Sequence, residues 1–260
     1  KRYEYILPNM NFGKTFSTAN YGNLDFKSNA LYNNYDVNKY KTFLTNDIIW
    51  KPADRFTKNG FKNSFEVMLR NKNYETKKTA EYKDGGVVNE IHGVLGYKSS
   101  IPMKKEGIMY SNILTPNFML RIAPGHMRDL NNKAENFQYS NLYSLNRTSE
   151  IESGLSAVLG FDFKIDENNI NNKEKATFSL GQVYNYEKNK DIPSQSSLDQ
   201  KMSDIVGEAS YNFSQIGEID YKFNLDHNLN DLNYNEIASS LNFGMIKFNL
   251  DYLEKQNHFG

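Results

Sequence analysis

The stretch from Gly217 to Leu229 reads GEIDYKFNLDHNL and alternates along its length. Ile219, Tyr221, Phe223, Leu225 and Leu229 fall on one side of an extended chain, interrupted by His227. Glu218, Asp220, Lys222, Asn224, Asp226 and Asn228 fall on the other, because successive Cβ atoms of a strand point to opposite faces. A helical period would mix the two sets on every turn, so the stretch is read as a strand. One of its faces suits an apolar environment and the other suits water.

The same design extends in both directions. Ile205, Gly207, Ala209, Tyr211 and Phe213 precede it across a turn at Gln215 to Gly217, and Ile237 to Phe243 with Ile246 to Tyr252 follow as a hairpin turning at Gly244. Upstream, Leu155, Ala157, Leu159, Phe161, Phe163 and Ile165 share a face against Ser156, Gly160, Asp162 and Lys164. Lys175 to Tyr186 places Phe178, Leu180, Tyr184 and Tyr186 outward, and Ile108 to Ile122 places Leu114, Pro116, Phe118, Leu120 and Ile122 opposite Thr115, Asn117 and Arg121. Earlier strands run over Tyr3 to Phe16, from Leu24, over Lys39 to Trp50, Phe61 to Tyr74 and Val87 to Ser99. Pro8 suits an edge or a bulge, since proline donates nothing to a ladder. The total is about 12 to 14 strands. Three connections are long: the charged loop from Lys77 to Gly86, a polar excursion from His126 to Ser149 around an expected short strand at Phe137 to Leu145, and the tract from Glu187 to Lys201. Loops of that length are usually functional or flexible.

Composition narrows the function classes. Lysine plus arginine equals aspartate plus glutamate at 31 each, so no basic field gathers nucleic acid. With no cysteine there is neither a disulfide framework nor a thiolate nucleophile. His92, His126, His227 and His258 are scattered and form no metal-binding spacing, so no metal and no cofactor is expected. The 18 Tyr and 17 Phe in a polar chain supply aromatic strands, yet no run approaches the 18 or more apolar residues of a membrane helix. Lys1 opens directly into strand pattern with no signal sequence, so the chain reads as an excised piece.

Two situations produce such alternation. In a soluble sandwich the apolar faces meet in a core, whereas in an outer-membrane barrel they face lipid and the polar faces line a wet lumen. Periodicity alone leaves both open. Strands of roughly ten residues match a tilted crossing, tyrosine and phenylalanine recur near strand ends, and short turns alternate with long loops; these details favour the barrel. On that reading Phe118, Leu159, Phe161, Tyr221, Phe223 and Leu225 meet lipid, and Arg121, Asp162, Lys164, Asp220 and Lys222 face the lumen.

Between Leu114 and Phe163 the chain carries LTPNFMLRIAPG and then NLYSLNRTSEIESGLSAVLGFDF. It resembles there the barrel of the LptD family, the lipopolysaccharide-assembly outer-membrane proteins, with their "TP" strand, "N(L/R)xSxxxRxExG" segment and "GxxY/F" strand. SLGQVYNY at Ser179 to Tyr186 and SDIVGEASY at Ser203 to Tyr211 are similar to the family's "GQ" and "SD" strands in the same order. LPNMNFGKTF from Leu7 and YGNLDFKSNA from Tyr21 are similar to its mid-barrel hairpin. Thr148-Ser149-Glu150 departs from the Ser-Gly-Asp of many relatives.

The resemblance implies an all-β, antiparallel transmembrane barrel segment spanning residues 1–260, part of a larger barrel and open where terminal strands are missing. The jelly-roll domain and gate strands of the family are unmatched. The implied function is lipopolysaccharide insertion into the outer leaflet of the bacterial outer membrane, without catalysis. Implied partners are lipopolysaccharide, outer-membrane lipids, a plug lipoprotein of the LptE type and periplasmic bridge proteins. A general porin or channel and a soluble all-β binding module are the alternatives; a porin should carry an inward constriction loop with opposed charges, and none is legible. No G-x-S-x-G elbow supports a hydrolase, and Asp226 and His227, read as neighbours on opposite faces of a strand, make no dyad there.

Overall fold

In a computed structural model the chain is all β, described over residues 5–36, 38–79, 82, 85–131, 133, 135–168, 174–213 and 216–256. The strands are β1 (Tyr5–Thr18), β2 (Gly22–Asp36), β3 (Lys39–Lys51), β4 (Arg55–Phe56), β5 (Lys62–Lys77), β6 (Val88–Ser100) and β7 (Met103–Glu106), then β8 (Tyr110–Ala123), β9 (Gly154–Glu167), β10 (Glu174–Asn185), β11 (Ile205–Asn212), β12 (Gly217–Leu225), β13 (Leu232–Asn242) and β14 (Lys247–Lys255). They make a 14-stranded sheet in the order β1-β2-β3-β5-β6-β8-β9-β10-β11-β12-β13-β14, with β4 beside β5 and β7 beside β8. The described pairings are antiparallel between neighbours, and β1 and β14 stand at its ends. Among the described residues helix is limited to two three-residue 3-10 turns, Tyr139–Asn141 and Ser194–Ser196. Lys1, Asp84, Ser214, Gln215 and His258 lie outside the described residues.

The chain divides into two compact units. The first holds residues 1–54 and 64–96. Pro8 sits where the β1–β2 register shifts between Ile6 and Asn9, on an end strand, as a residue without a ladder donor requires. One face of this unit buries Phe43, Met68, Tyr74 and Val94, with Arg70 gripping Asp47 through two bonds of 2.7 and 2.9 Å. Tyr82, from the β5–β6 connection, packs edge-on against Phe43 and Tyr74, and Lys72 Nζ lies 5.4 Å from the Phe43 and Tyr82 ring centres. The other face leaves Leu44, Ile48, Trp50, Phe65, Leu69 and Ile91 exposed.

The second unit holds residues 55–63 and 97–260. In β8 the alternation becomes a contrast of environments: Asn117, Met119, Arg121 and Ala123 are buried, while Leu114, Leu120 and Ile122 are exposed. β9 repeats it, with Ser156 and Val158 buried and Leu155 and Leu159 at 45% and 50% exposure. Pro116 is tolerated inside β8 because its carbonyl faces Ile101, accepting that amide at 3.2 Å. On that side the ladder is already interrupted between β6 and β7.

Candidate functional site

Alternate strands of an antiparallel sheet share polarity, so the connections after β8, β10 and β12 all leave at one end of the second unit. The longest of these, residues 124–153, folds back over one face of the sheet, and the next, residues 186–204, bonds to it and to the end of β10. The strand expected at Phe137 to Leu145 is absent; that stretch is a 3-10 turn at Tyr139–Asn141 within a compact loop. Its apolar residues Met127, Leu130, Phe137, Leu142, Leu145 and Ile151 are all buried. A segment that reads as polar excursion is therefore a small core laid on the strands.

Two glycines make room for it. Gly160 of β9 and Gly181 of β10 are directly paired. A Cβ at Gly160 would stand 2.5 Å from Tyr143 Oη and run into the Leu180 carbonyl, and one at Gly181 would run into Leu142 Cδ2. The loop thus rests on bare backbone at this row.

Charge fixes the loop to the sheet. Arg121, 2% exposed, donates from Nε to Leu145 O and from Nη2 to Glu152 O, each at 2.7 Å, and its Nη1 stands 3.4 Å from Glu152 Oε1. Arg147 pairs with the same Glu152 carboxylate and donates to Ser156 Oγ at 2.9 Å. Two guanidiniums thus share one carboxylate in a buried site, where each hydrogen bond replaces water that has been lost. Further along β9, Asp162 accepts from Asn117 Nδ2 at 2.6 Å, Tyr139 Oη at 2.5 Å and Ser179 Oγ at 2.7 Å, joining three strands to the loop. Asn224 of β12 donates to Phe137 O at 2.7 Å. Lys98 Nζ lies 4.0 Å from the centre of the Tyr143 ring. Burial raises the hydroxyls of both Tyr139 and Tyr143 above the ordinary tyrosine range, with Asp162 adding to the rise, so both keep their protons.

The second loop locks onto the first. Leu130 N donates to Asp191 O at 2.7 Å, and Asn131 Nδ2 to Lys190 O at 2.9 Å. Ile192 and Leu198 are buried, and Asn185 Nδ2 ties the loop to β10 through Leu198 O and Gln200 O. Burial raises the carboxyls of Asp199 and Asp204 above the usual aspartate range. At the third connection the strand stops at Leu225, so Asp226 and His227 lie in a turn, with His227 Nδ1 3.2 Å from Asp226 Oδ1. The reading of the two as opposite faces of a strand is corrected: the turn puts them in contact. Asp226 also caps the turn, accepting Asn228 N at 2.8 Å, and that bond holds its carboxyl low.

The remaining residues singled out in the sequence divide by parity. Lys164 pairs with Asp166 and Glu174 at 3.1 and 3.2 Å, and Lys222 with Glu236 at 3.1 Å. Asp220, in register with Ser210 and Ala238, shares the parity of Lys222. Phe118, Leu159 and Phe161 occupy the bare face, as do Tyr221 and Phe223, whose rings stack at 5.6 Å, and Leu225, in register with Ile205. Gly207 lies under the Phe223 ring, where a Cβ would collide with it.

Several polar side chains on the bare face bond to protein atoms. Asn63 Oδ1 accepts from Tyr97 Oη at 2.7 Å and from Ser99 Oγ at 3.0 Å. Gln182 donates to Ser203 O at 2.7 Å and accepts from Tyr184 Oη at 2.9 Å. Sequence reasoning gave no individual role to Gly160, Gly181, Leu142, Tyr143, Arg147 and Glu152, although the last four lie in the quoted NLYSLNRTSEIESG segment and the two glycines in the strands after it; their pairing needs the strand register. Among the described residues no group of three or more His, Asp or Glu side chains is arranged to hold a metal ion.

Compared with protein families, the chain matches the model of LPS transport system D, LptD, over residues 5–258. Compared with curated proteins, it has no match.

Proposed function

The chain belongs to the LptD family, which serves lipopolysaccharide transport and outer-membrane assembly, and we propose that its sheet is barrel wall in the translocon that inserts lipopolysaccharide into the outer leaflet. The bare face, with Phe118, Leu159, Phe161, Tyr221, Phe223 and Leu225, meets lipid. The loop-covered face, with Arg121, Asp162, Lys164, Asp220 and Lys222, lines the lumen. The whole of residues 1–260 is then barrel segment, in the outer membrane of a Gram-negative cell. Its role is transport, with lipopolysaccharide as cargo and, on the family's pattern, a plug lipoprotein of the LptE type and periplasmic bridge proteins as partners.

The carrying observation is that five polar side chains of the bare face are bonded to protein atoms. In hydrocarbon an unsatisfied polar group costs several kcal/mol. Gln182, Tyr184, Asn63, Tyr97 and Ser99 bond to protein atoms, while the aliphatic residues around them stay exposed. A water-facing sheet has no need of that arrangement. The test is labelling of the full-length protein in membranes with single cysteines at Phe223 and at Lys222. Lipid-soluble quenching at the first and water-soluble quenching at the second are expected; equal access of a water-soluble quencher to both would remove the outer-membrane reading.

One observation favours a second reading, a diffusion channel: the 124–153 loop covers the polar face, as a constriction loop does. Two of its charges, Arg147 and Glu152, are however buried in a cluster with Arg121 of β8. Steady ion conductance by the full-length protein in planar bilayers would support the channel; lipopolysaccharide cross-links from a photoreactive residue at Asp220 support the translocon.

A further inference from the structure

The bare face of the first unit changes character along its strands. On β5 it presents Phe65, Val67 and Leu69, and then Asn71, Asn73, Glu75 and Lys77. The change is shared by the strands in register with it. Phe26, Ile48 and Leu69 form one row across β2, β3 and β5, and Ser28, Asn46 and Asn71 form the next. Beyond these come Ala30, Leu44 and Asn73, then Tyr32, Thr42 and Glu75, with Ala30 and Leu44 as the apolar exceptions. The polar side chains bond sideways along the sheet: Ser28 Oγ donates to Asn46 Oδ1 at 2.8 Å, Asn73 Nδ2 to Asn71 Oδ1 at 2.6 Å, Asn71 Nδ2 to Asn89 Oδ1 at 2.9 Å and Tyr40 Oη to Glu75 Oε1 at 2.6 Å. Asn46 and Asn71 are half-buried, and an amide has more hydrogen-bonding sites than these bonds use. At the other border of the apolar rows Trp50 Nε1 donates to Tyr21 O at 2.9 Å, in the position that tryptophan takes at a membrane interface. From Phe65 to Leu69 the apolar run covers about 13 Å of strand, roughly 9 Å of height at a tilt of about 45°, whereas Leu155 to Ile165 of β9 covers about 33 Å, roughly 23 Å of height. Only the longer run fills the band of about 25 Å that an outer-membrane barrel presents to lipid.

We propose that the first unit holds the outer leaflet thin: lipid headgroups and their water cover its polar rows, and acyl chains meet only the rows from Ile48 to Trp50. The inference rests on the reading of the bare face as lipid-facing. The order along β5 is charge, then amide, then hydrocarbon, which is the order of a leaflet from water inward. It starts at the end where the connection between β5 and β6 leaves, the outer end in a barrel, whose longer loops face outward. A protein contact has a polar rim around an apolar centre, whereas on β5 the polar field opens without a break toward the strand end. A wall with a short apolar span draws the bilayer down to its own height. Lys14 of β1 fits the same profile: it is exposed, in register with Phe26 and one row from Ser28, so its stem brings the ammonium to headgroups lying at that depth. Beside such a wall a lipid with a bulky polar head has less hydrocarbon to displace on entering the outer leaflet.

The experiment uses the full-length protein in dioleoylphosphatidylcholine vesicles, spin-labelled in turn at Asn46→Cys, Asn71→Cys, Ile48→Cys and Leu69→Cys. Collisions with dissolved oxygen report acyl chains, and collisions with a water-soluble nickel chelate report headgroups and water. Nickel collisions several-fold more frequent at the two asparagine positions than at Ile48 and Leu69 are expected, with oxygen in the reverse order. Low nickel and high oxygen at all four positions overturn the thinning and leave the lipid-facing reading standing, whereas high nickel at all four overturns both. Asparagine positions that neither probe reaches are covered by protein, and the headgroup assignment is then wrong. Should the cysteine variants fail to assemble, refolding yields decide. The unaltered protein should favour dilauroyl- over dioleoylphosphatidylcholine vesicles several-fold more than an Asn46→Leu, Asn71→Leu variant, whose apolar band is one row taller; an equal preference overturns the proposal.

Discussion

Replacing Arg121 with Met should free the 124–153 loop while leaving the sheet intact. The methionine keeps the bulk of the side chain but removes both 2.7 Å bonds to Leu145 O and Glu152 O and the contact with Glu152 Oε1. Truncating one partner of a buried pair costs about 3–5 kcal/mol. Here Glu152 still has Arg147, so no carboxylate is stranded; the two carbonyls lose their donor, and about 3 kcal/mol is expected. At roughly 1.4 kcal/mol per decade this shifts loop opening by about 100-fold. The ladder bonds of β8 to β9 do not pass through this side chain, so strand stability changes little. Hydrogen exchange in the full-length protein reads the difference. The amides of Leu142 and Ser144, bonded to Tyr139 O and Asn141 O, report on the loop, and those of β9 report on the sheet. Leu142 protection should fall by about two orders of magnitude with β9 unchanged. Arg121→Lys, which keeps the charge and loses the fork, should fall between. Unchanged exchange at Leu142, or equal loss in loop and β9, would refute the claim that Arg121 pins the loop.

Three further outcomes are expected. Gly160→Ala should weaken loop packing and distort the β9–β10 ladder, because the new methyl meets the Leu180 carbonyl and Tyr143 Oη; a cost of about 1–3 kcal/mol is readable as lowered thermal stability of the folded barrel band on gels. For Asp199 the folded carboxyl is raised by burial above its unfolded value of 3.8, so its favourable contribution is full below that value and is lost as pH rises through the folded one. Asp199→Asn should accordingly slow exchange in the 186–204 loop at neutral pH and make no difference near about pH 3. Under the proposed orientation, Phe223→Arg at mid-bilayer depth should cost about 2–4 kcal/mol in refolding into vesicles, and Lys222→Arg close to nothing; equal tolerance at both sites would contradict the assignment of faces.

Much of the architecture was legible in the chain. Strand β12 and its neighbours announce themselves because a period of two has no helical counterpart, and the same parity separates Leu155 and Leu159 from Ser156 and Val158 in β9. The ordered motifs from Leu114 to Tyr211 pointed to LptD, and the family match over residues 5–258 bears that out. The apparent strand at Phe137 to Leu145 shows where such reading fails. Its apolar residues are irregularly spaced, so no period tells whether they seek a sheet, a loop core or a partner.

Sequence by itself therefore determined which residues are extended and which side chains share a face, since both follow from the geometry of one strand. It did not determine what covers a face. That Arg121 would reach Leu145 O and Glu152, that Gly160 and Gly181 would lie side by side beneath Leu142 and Tyr143, and that Asp162 would gather Asn117, Tyr139 and Ser179 depend on strand register and on loops folding back. These contacts join residues far apart in the chain. Their energy exists only once the ladder has brought the partners within hydrogen-bonding distance and has excluded the water that would otherwise satisfy them.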